Sequence, residues 1–166
     1  MFDSRPVLAL DPGLATLGYA VVATHSGRFI VSDYGRVKTS PRSRNEARLM
    51  ELHRAVAGII REFQPSDVAI ERLFFSTNVK TAMSVGQAKG VLLLTAAEAD
   101  LPVTEYTPLE VKKSVTGDGG ADKGAVRKMV RLLLNLKVAP PDDAADALAL
   151  ALCHLNQRAL RAQVQA

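Results

Sequence analysis

The chain has 166 residues, 48% hydrophobic and 23% charged, which predicts one domain spanning residues 1–166 with enough core to need no covalent staples. Its single cysteine, Cys153, excludes a disulfide framework or a thiolate zinc cluster. No apolar run approaches the roughly 18 residues that span a bilayer, and the first residues lack a signal-peptide pattern, so a cytoplasmic location is expected.

In chain order, Val7–Leu10 is a short apolar strand that ends at the turn signal Asp11-Pro12-Gly13. Gly18–Ala23 and Phe29–Val37 follow as strands, with Ser26-Gly27 as a hairpin turn between them. From Arg44 to Phe63 the period changes. Leu49, Leu52, Val56, Ile59 and Phe63 recur every three or four residues, which predicts an amphipathic helix closed by Gln64-Pro65. Asp67–Glu71 is a further strand, and Thr77–Ala99 a helix interrupted by Gly86 and Gly90. Helical glycines cost about 1 kcal/mol each against alanine, so a close-packed or partner surface is expected there. Pro102–Thr107 is the fifth strand. Helical stretches around Leu109–Val115 and Lys123–Leu136 flank the loop TGDGGAD, and a last helix starts near Asp142. Strands first, then helices between later strands, predict an α/β fold with a mixed sheet.

The net charge of +4 is unevenly placed: seven basic residues lie between Arg36 and Arg61 against Glu46 and Glu51, and residues 76–90 hold two lysines and no acid. Such a face attracts nucleic acid, although charge alone also describes a solvated surface.

Three strongly apolar elements each carry an isolated carboxylate. One strand ends in Asp11, another in Glu71, and Ala144–Cys153 is apolar except for Asp146. A helix that is apolar all round is buried, and an unpaired buried carboxylate is costly unless a cation or a shifted pKa relieves it. Asp143 precedes Asp146 by three residues, about 5–6 Å away on the same helix face. Taken singly, each acid has another reading. Asp11 opens a Pro-Gly turn, Glu71 pairs with an arginine, and Asp142 and Asp143 suit a helix N-terminus, a role assigned outright to Asp142. Asp146 lies beyond the first turn and escapes that reading. Sites in open α/β sheets form at the carboxyl ends of strands, where Asp11 and Glu71 both stand. Four carboxylates without cysteine or histidine make an all-oxygen set suited to Mg²⁺ or Mn²⁺. In a basic protein that set suggests metal-assisted hydrolysis of a phosphodiester.

The segments ALDPGLATLGYAVV, VAIERLFF, GQAKGV, GDGGADK and DDAADALALA, in this order, resemble the RuvC family of bacterial Holliday-junction resolvases, from about Val7 to His154. The resemblance implies a ribonuclease-H-like fold: a five-stranded mixed sheet, its second strand antiparallel, flanked by helices. It implies that Asp11, Glu71, Asp143 and Asp146 hold two divalent ions, Mg²⁺ or Mn²⁺. Cleavage would then leave a 5′-phosphate and a 3′-hydroxyl. Without metal these acids repel, and some of their pKa values should rise. Lys112 and Lys123 fall at the family's lysines near the scissile phosphate, and Phe74 at its base-stacking aromatic. By residue type alone the lysines read as surface residues and Phe74 as core, with Phe75 as the exposed ring. The implied partners are four-way junction DNA, a second copy of the chain in a C₂ homodimer, and the RuvA–RuvB branch-migration complex. The glycine-interrupted helix is the expected dimer surface. His25, His53, His154 and Cys153 are expected to be structural. Two other readings are a ribonuclease-H-like nuclease of another substrate class, such as the YqgF type, and a catalytically inactive junction-binding protein. A third reading, half of an actin-like or sugar-kinase-like ATPase, ranks below these, because those folds need a duplicated domain.

Overall fold

A computed structural model describes residues 5–72 and 78–164. Five strands, β1 (Val7–Asp11), β2 (Thr16–His25), β3 (Arg28–Lys38), β4 (Asp67–Glu71) and β5 (Val103–Tyr106), form one sheet in the order β3-β2-β1-β4-β5. Five helices accompany them: α1 (Asn45–Phe63), α2 (Val79–Glu98), α3 (Pro108–Thr116), α4 (Lys123–Leu133) and α5 (Asp142–Val164). The sheet is mixed as expected, since β2 runs antiparallel to β1 and β3 while β1, β4 and β5 are mutually parallel.

The turn residues explain the hairpin. Ser26 and Gly27 both adopt positive φ, 49° and 75°, the pair of left-handed residues whose twist matches two antiparallel strands. β2 and β3 extend beyond the expected Gly18–Ala23 and Phe29–Val37, because their pairing continues from Thr16↔Lys38 to His25↔Arg28, with a bulge at Val21/Val22. Ladder hydrogen bonds carry the strands into polar ends that show no hydrophobic alternation. Gln64 ends α1 in the left-handed region (φ 47°), and its N–H donates to the carbonyl of Ile60 at 2.9 Å. α2 starts at Val79 behind the N-cap Asn78, whose side chain accepts from the Thr81 N–H. α3 opens with a reciprocal capping box between Thr107 and Glu110. α4 stops at Leu133, short of the expected Leu136, and Arg131 turns back to donate to the carbonyls of Leu136 and Lys137.

Alternation along the strands divides the core. Leu8, Leu10, Val68 and Ile70 face Leu52 and Val56 of α1 and Ala88 and Leu92 of α2. Val7, Ala9 and Ala69 face the opposite way, against α5. Every residue of α5 from Ala144 to Leu155 is buried except Asp146, as the apolar run Ala144–Cys153 predicts. Each fully buried leucine there contributes roughly 1.5–3 kcal/mol. Among the described residues no helix is long and apolar enough to cross a membrane.

Candidate active site

Strand alternation delivers the first two carboxylates. Val7 and Ala9 of β1 face α5, and Asp11 is the next residue of that series. In β4 Ala69 faces α5 and Glu71 follows it. The two strands are parallel neighbours, with Leu10 opposite Ile70, so Asp11 and Glu71 end them side by side. β1 thus continues through Asp11, which lies on the strand and not merely at the head of the following turn.

The other two acids arrive on the first turns of α5, which approaches the sheet through small residues. Gly18 pairs with Asp11 across the β1–β2 ladder. A Cβ at Gly18 would collide with the backbone carbonyl of Asp143 and stand 3.2 Å from the Asp143 Cβ. Only glycine lets the helix start sit beside Asp11. Sequence reasoning missed Gly18; the signal was a glycine inside a strand pattern, which marks close backbone approach.

Burial, and then the charges of Glu71, Asp146 and Asp143, push the Asp11 carboxyl from 3.8 up to about 8, with Lys123 opposing. Glu71 is raised by burial first and then by Asp146, against Lys123 and a hydrogen bond with Asp11. Two carboxyl groups hydrogen-bond only when one carries a proton, and Asp11 is the group that retains it. Lys123 Nζ lies 3.5 Å from Asp146 Oδ2. A cleft of about 270 Å³ is lined by Asp11, Glu71, Asp146, Lys112 and Lys123, among others. Asp143 lies outside that lining and acts on Asp11 through its charge. The acids converge without closing into a cage: among the described residues no three His, Cys, Asp or Glu side chains gather at metal-holding geometry.

Other expectations resolve residue by residue. Asp142 stands in the first turn of α5 and also pairs with Arg127 of α4, a contact the sequence did not suggest. Glu71 takes no arginine from its neighbour Arg72, which turns to Glu105 at 3.8 Å; Lys89 reaches the same Glu105 at 2.8 Å. Phe74 and Phe75 lie outside the described residues. Cys153 is fully buried, and burial holds its thiol at about 11. His53 bridges to Thr95 at 2.9 Å. A second groove, of about 640 Å³, runs from Gly13–Thr16 past Asn45, Arg48, Lys80 and Ser84. It gathers part of the uneven positive charge, which sequence alone could not place on one face.

The family model "Crossover junction endodeoxyribonuclease RuvC" matches residues 7–154. Proteins of that name from Caldicellulosiruptor saccharolyticus and Alkaliphilus oremlandii are 50% and 51% identical over 151 residues, covering 90% of this chain and 91% and 92% of theirs. The structure of T. thermophilus RuvC in complex with a Holliday junction substrate is similar at a TM-score of 0.88 and 39% identity, covering 93% of this chain and 96% of that one. The fold is therefore ribonuclease-H-like, and the chain belongs to the RuvC family of crossover junction endodeoxyribonucleases.

Proposed function

We propose that this family member resolves four-way (Holliday) DNA junctions in recombination and repair by metal-dependent phosphodiester hydrolysis, nicking two opposed strands symmetrically. The observation that carries the reading is one cleft where Asp11, Glu71 and Asp146 face Lys112 and Lys123, in a chain whose relatives carry that activity in their name. The donor set fits hard divalent cations. All the donors are oxygens, and a buried carboxyl that keeps its proton up to about pH 8 marks a shortage of positive charge that such cations relieve.

Asp11, Glu71, Asp143 and Asp146 would hold two ions, Mg²⁺ or Mn²⁺. When bound, these supply a lowered water pKa and a charge partner for the leaving 3′-oxygen, which yields 5′-phosphate and 3′-hydroxyl ends. Lys123 and Lys112 offset phosphate charge at the rim and steer the backbone into the cleft. Arg48 and Lys80 extend the positive track along the second groove, and Phe74 is the proposed base-stacking residue.

Two symmetric nicks ask for two sites related by a two-fold axis, hence a homodimer. The outer face of α2 suits that interface. Val79, Met83 and Leu94 are 69%, 64% and 57% exposed, and Gly86 and Gly90 between them face open space. The RuvA–RuvB complex is the proposed machinery partner, in the cytoplasm.

The test is cleavage of a synthetic four-way junction beside a matched linear duplex, in Mg²⁺, Mn²⁺ or EDTA. The expected result is paired nicks in the junction alone, abolished by EDTA and by Asp11→Asn while binding persists. Equal cutting of duplex or RNA would instead indicate a nuclease of another substrate class. Binding without cleavage in any metal would indicate a structural junction-binding protein.

A further inference from the structure

The sheet face that presents Asp11 and Glu71 carries a second polar cluster at its opposite end. Asp67 opens β4 and shares a face with Ala69 and Glu71. From Asp67 to Glu71 the strand advances four residues, about 13 Å. Along α5, from Asp146 to His154, the helix advances eight residues, about 12 Å. The two lengths match, so α5 meets β4 at two polar points. At one end Asp146 faces Glu71, and like charges repel. At the other end His154 meets Asp67, and the contact is attractive.

The attractive end is fully bonded. His154 Nε2 lies 2.8 Å from Asp67 Oδ2, and Tyr106 Oη lies 3.0 Å from His154 Nδ1, with the two rings edge to face at 86°. Asp67 has no proton to give, so Nε2–H donates to it and Nδ1 accepts from the tyrosine hydroxyl. Ser66 Oγ donates to Asp67 Oδ1 at 2.8 Å, and Arg158 stands 3.5 Å from the same oxygen. Burial works against the ionised Asp67, but the hydrogen bonds from His154 and Ser66 and the charge of Arg158 outweigh it, holding this carboxyl below its ordinary range. Tyr106 belongs to β5, in register with Glu71, so the cluster ties α5 to two strands at once.

No step of the proposed hydrolysis uses these groups. The rest of the buried face of α5 is alanine, leucine and Cys153, which pack without strong directional preference. The charge of Asp146 on Glu71 opposes close approach at the catalytic end, and among the described residues the directional bonds that hold α5 along β4 are those of His154 and, beside it, Arg158. We propose that His154, held between Asp67 and Tyr106, is a positioning residue that fixes α5 along β4 and so sets how closely Asp143 and Asp146 approach Asp11 and Glu71. The proposal rests on the reading of those four acids as the metal-holding set.

The test compares His154→Leu and His154→Gln with Val56→Ala, a core change in α1 on the other face of the sheet. Four quantities are read in the folded proteins: Mn²⁺ affinity without DNA by electron paramagnetic resonance, the nuclear Overhauser contact between Gly18 and Asp143 without metal, kcat with metal, and junction affinity in EDTA. His154→Leu is expected to weaken Mn²⁺ binding at least tenfold, to weaken the Gly18–Asp143 contact and to lower kcat. Its junction affinity should stay within twofold. His154→Gln, which can still donate to Asp67 and accept from Tyr106, should recover most of each loss. Val56→Ala should lower the melting temperature and leave all four unchanged. If His154→Leu does not fold, His154→Gln and Tyr106→Phe carry the test, the latter expected to give a partial loss. An unchanged Gly18–Asp143 contact with parental kcat in the His154 variants would overturn the proposal. A parent chain that binds no Mn²⁺ while the contact still weakens in His154→Leu would sink the metal reading and leave the positioning role standing.

Discussion

Asp11 concentrates the electrostatics of the site, because burial and three other acids act on it and Lys123 alone among its stated neighbours opposes them. The sign of its effect on stability follows. Its folded pKa of about 8 lies above the ordinary 3.8, so between those values the unfolded chain gives up the proton first and the folded chain keeps it. Stability of the metal-free protein therefore falls as pH rises through that window. Asp11→Asn should flatten the fall and raise the melting temperature on the order of 5 °C near pH 8, read by thermal denaturation in EDTA. The same change should lower cleavage by on the order of 10³-fold or more, because the metal contribution it removes is several kcal/mol. Lys123→Ala should act in two ways. Cleavage should drop on the order of 10²-fold, and the Asp11 and Glu71 carboxyls should titrate higher still, which carboxyl NMR would follow. A variant whose Asp11 titrates unchanged would show that Lys123 does not reach the pair.

Among the elements, α5 decides whether a site exists, and Gly18 decides whether α5 can dock. Gly18→Ala should cost roughly 1–3 kcal/mol by overpacking, a fall of several degrees in melting temperature. Cleavage should suffer far more than that loss explains, because Asp143 is the group displaced. A variant that keeps parental cleavage would show that the helix start has slack. Much of this was legible in the sequence. Asp11, Glu71 and Asp146 stood out because each interrupts an apolar run, and the five strands and five helices followed from period and turn residues. The reach of β2 and β3 was not legible, since cross-strand pairing leaves no mark on a polar strand end. Nor was the partner of Asp142, because Arg127 comes from another helix. The reading of His154 as structural stands in its contacts, yet its bridge to Asp67 spans 87 residues of chain, and no local pattern encodes such a pairing. The roles of the four acids and two lysines came chiefly from family resemblance, since spacing alone left each with a plain structural reading.

At the scale of the whole molecule, one side of the chain is finished and another is open. The exposed Val79, Met83 and Leu94 line up with Gly86 and Gly90 along α2, a stripe that a second copy could cover. Met83→Glu should shift the protein toward monomer in sedimentation equilibrium and turn paired nicks into single, uncoupled ones. A variant that stays dimeric would move the interface elsewhere. Junction affinity should fall steeply with salt, as phosphate contacts require, and Arg48→Ala with Lys80→Ala should flatten that slope in a titration series. The placement of the acids has one more consequence. Asp11 lies near one end of the chain, Glu71 near its middle, and Asp143 and Asp146 on α5. During synthesis the sheet can form first and wait, but without α5 it holds only half of the carboxylates. On the proposed reading of the four acids, a nascent chain or a proteolytic fragment that lacks α5 would carry only Asp11 and Glu71 of the set, so cleavage would wait until the last helix docks.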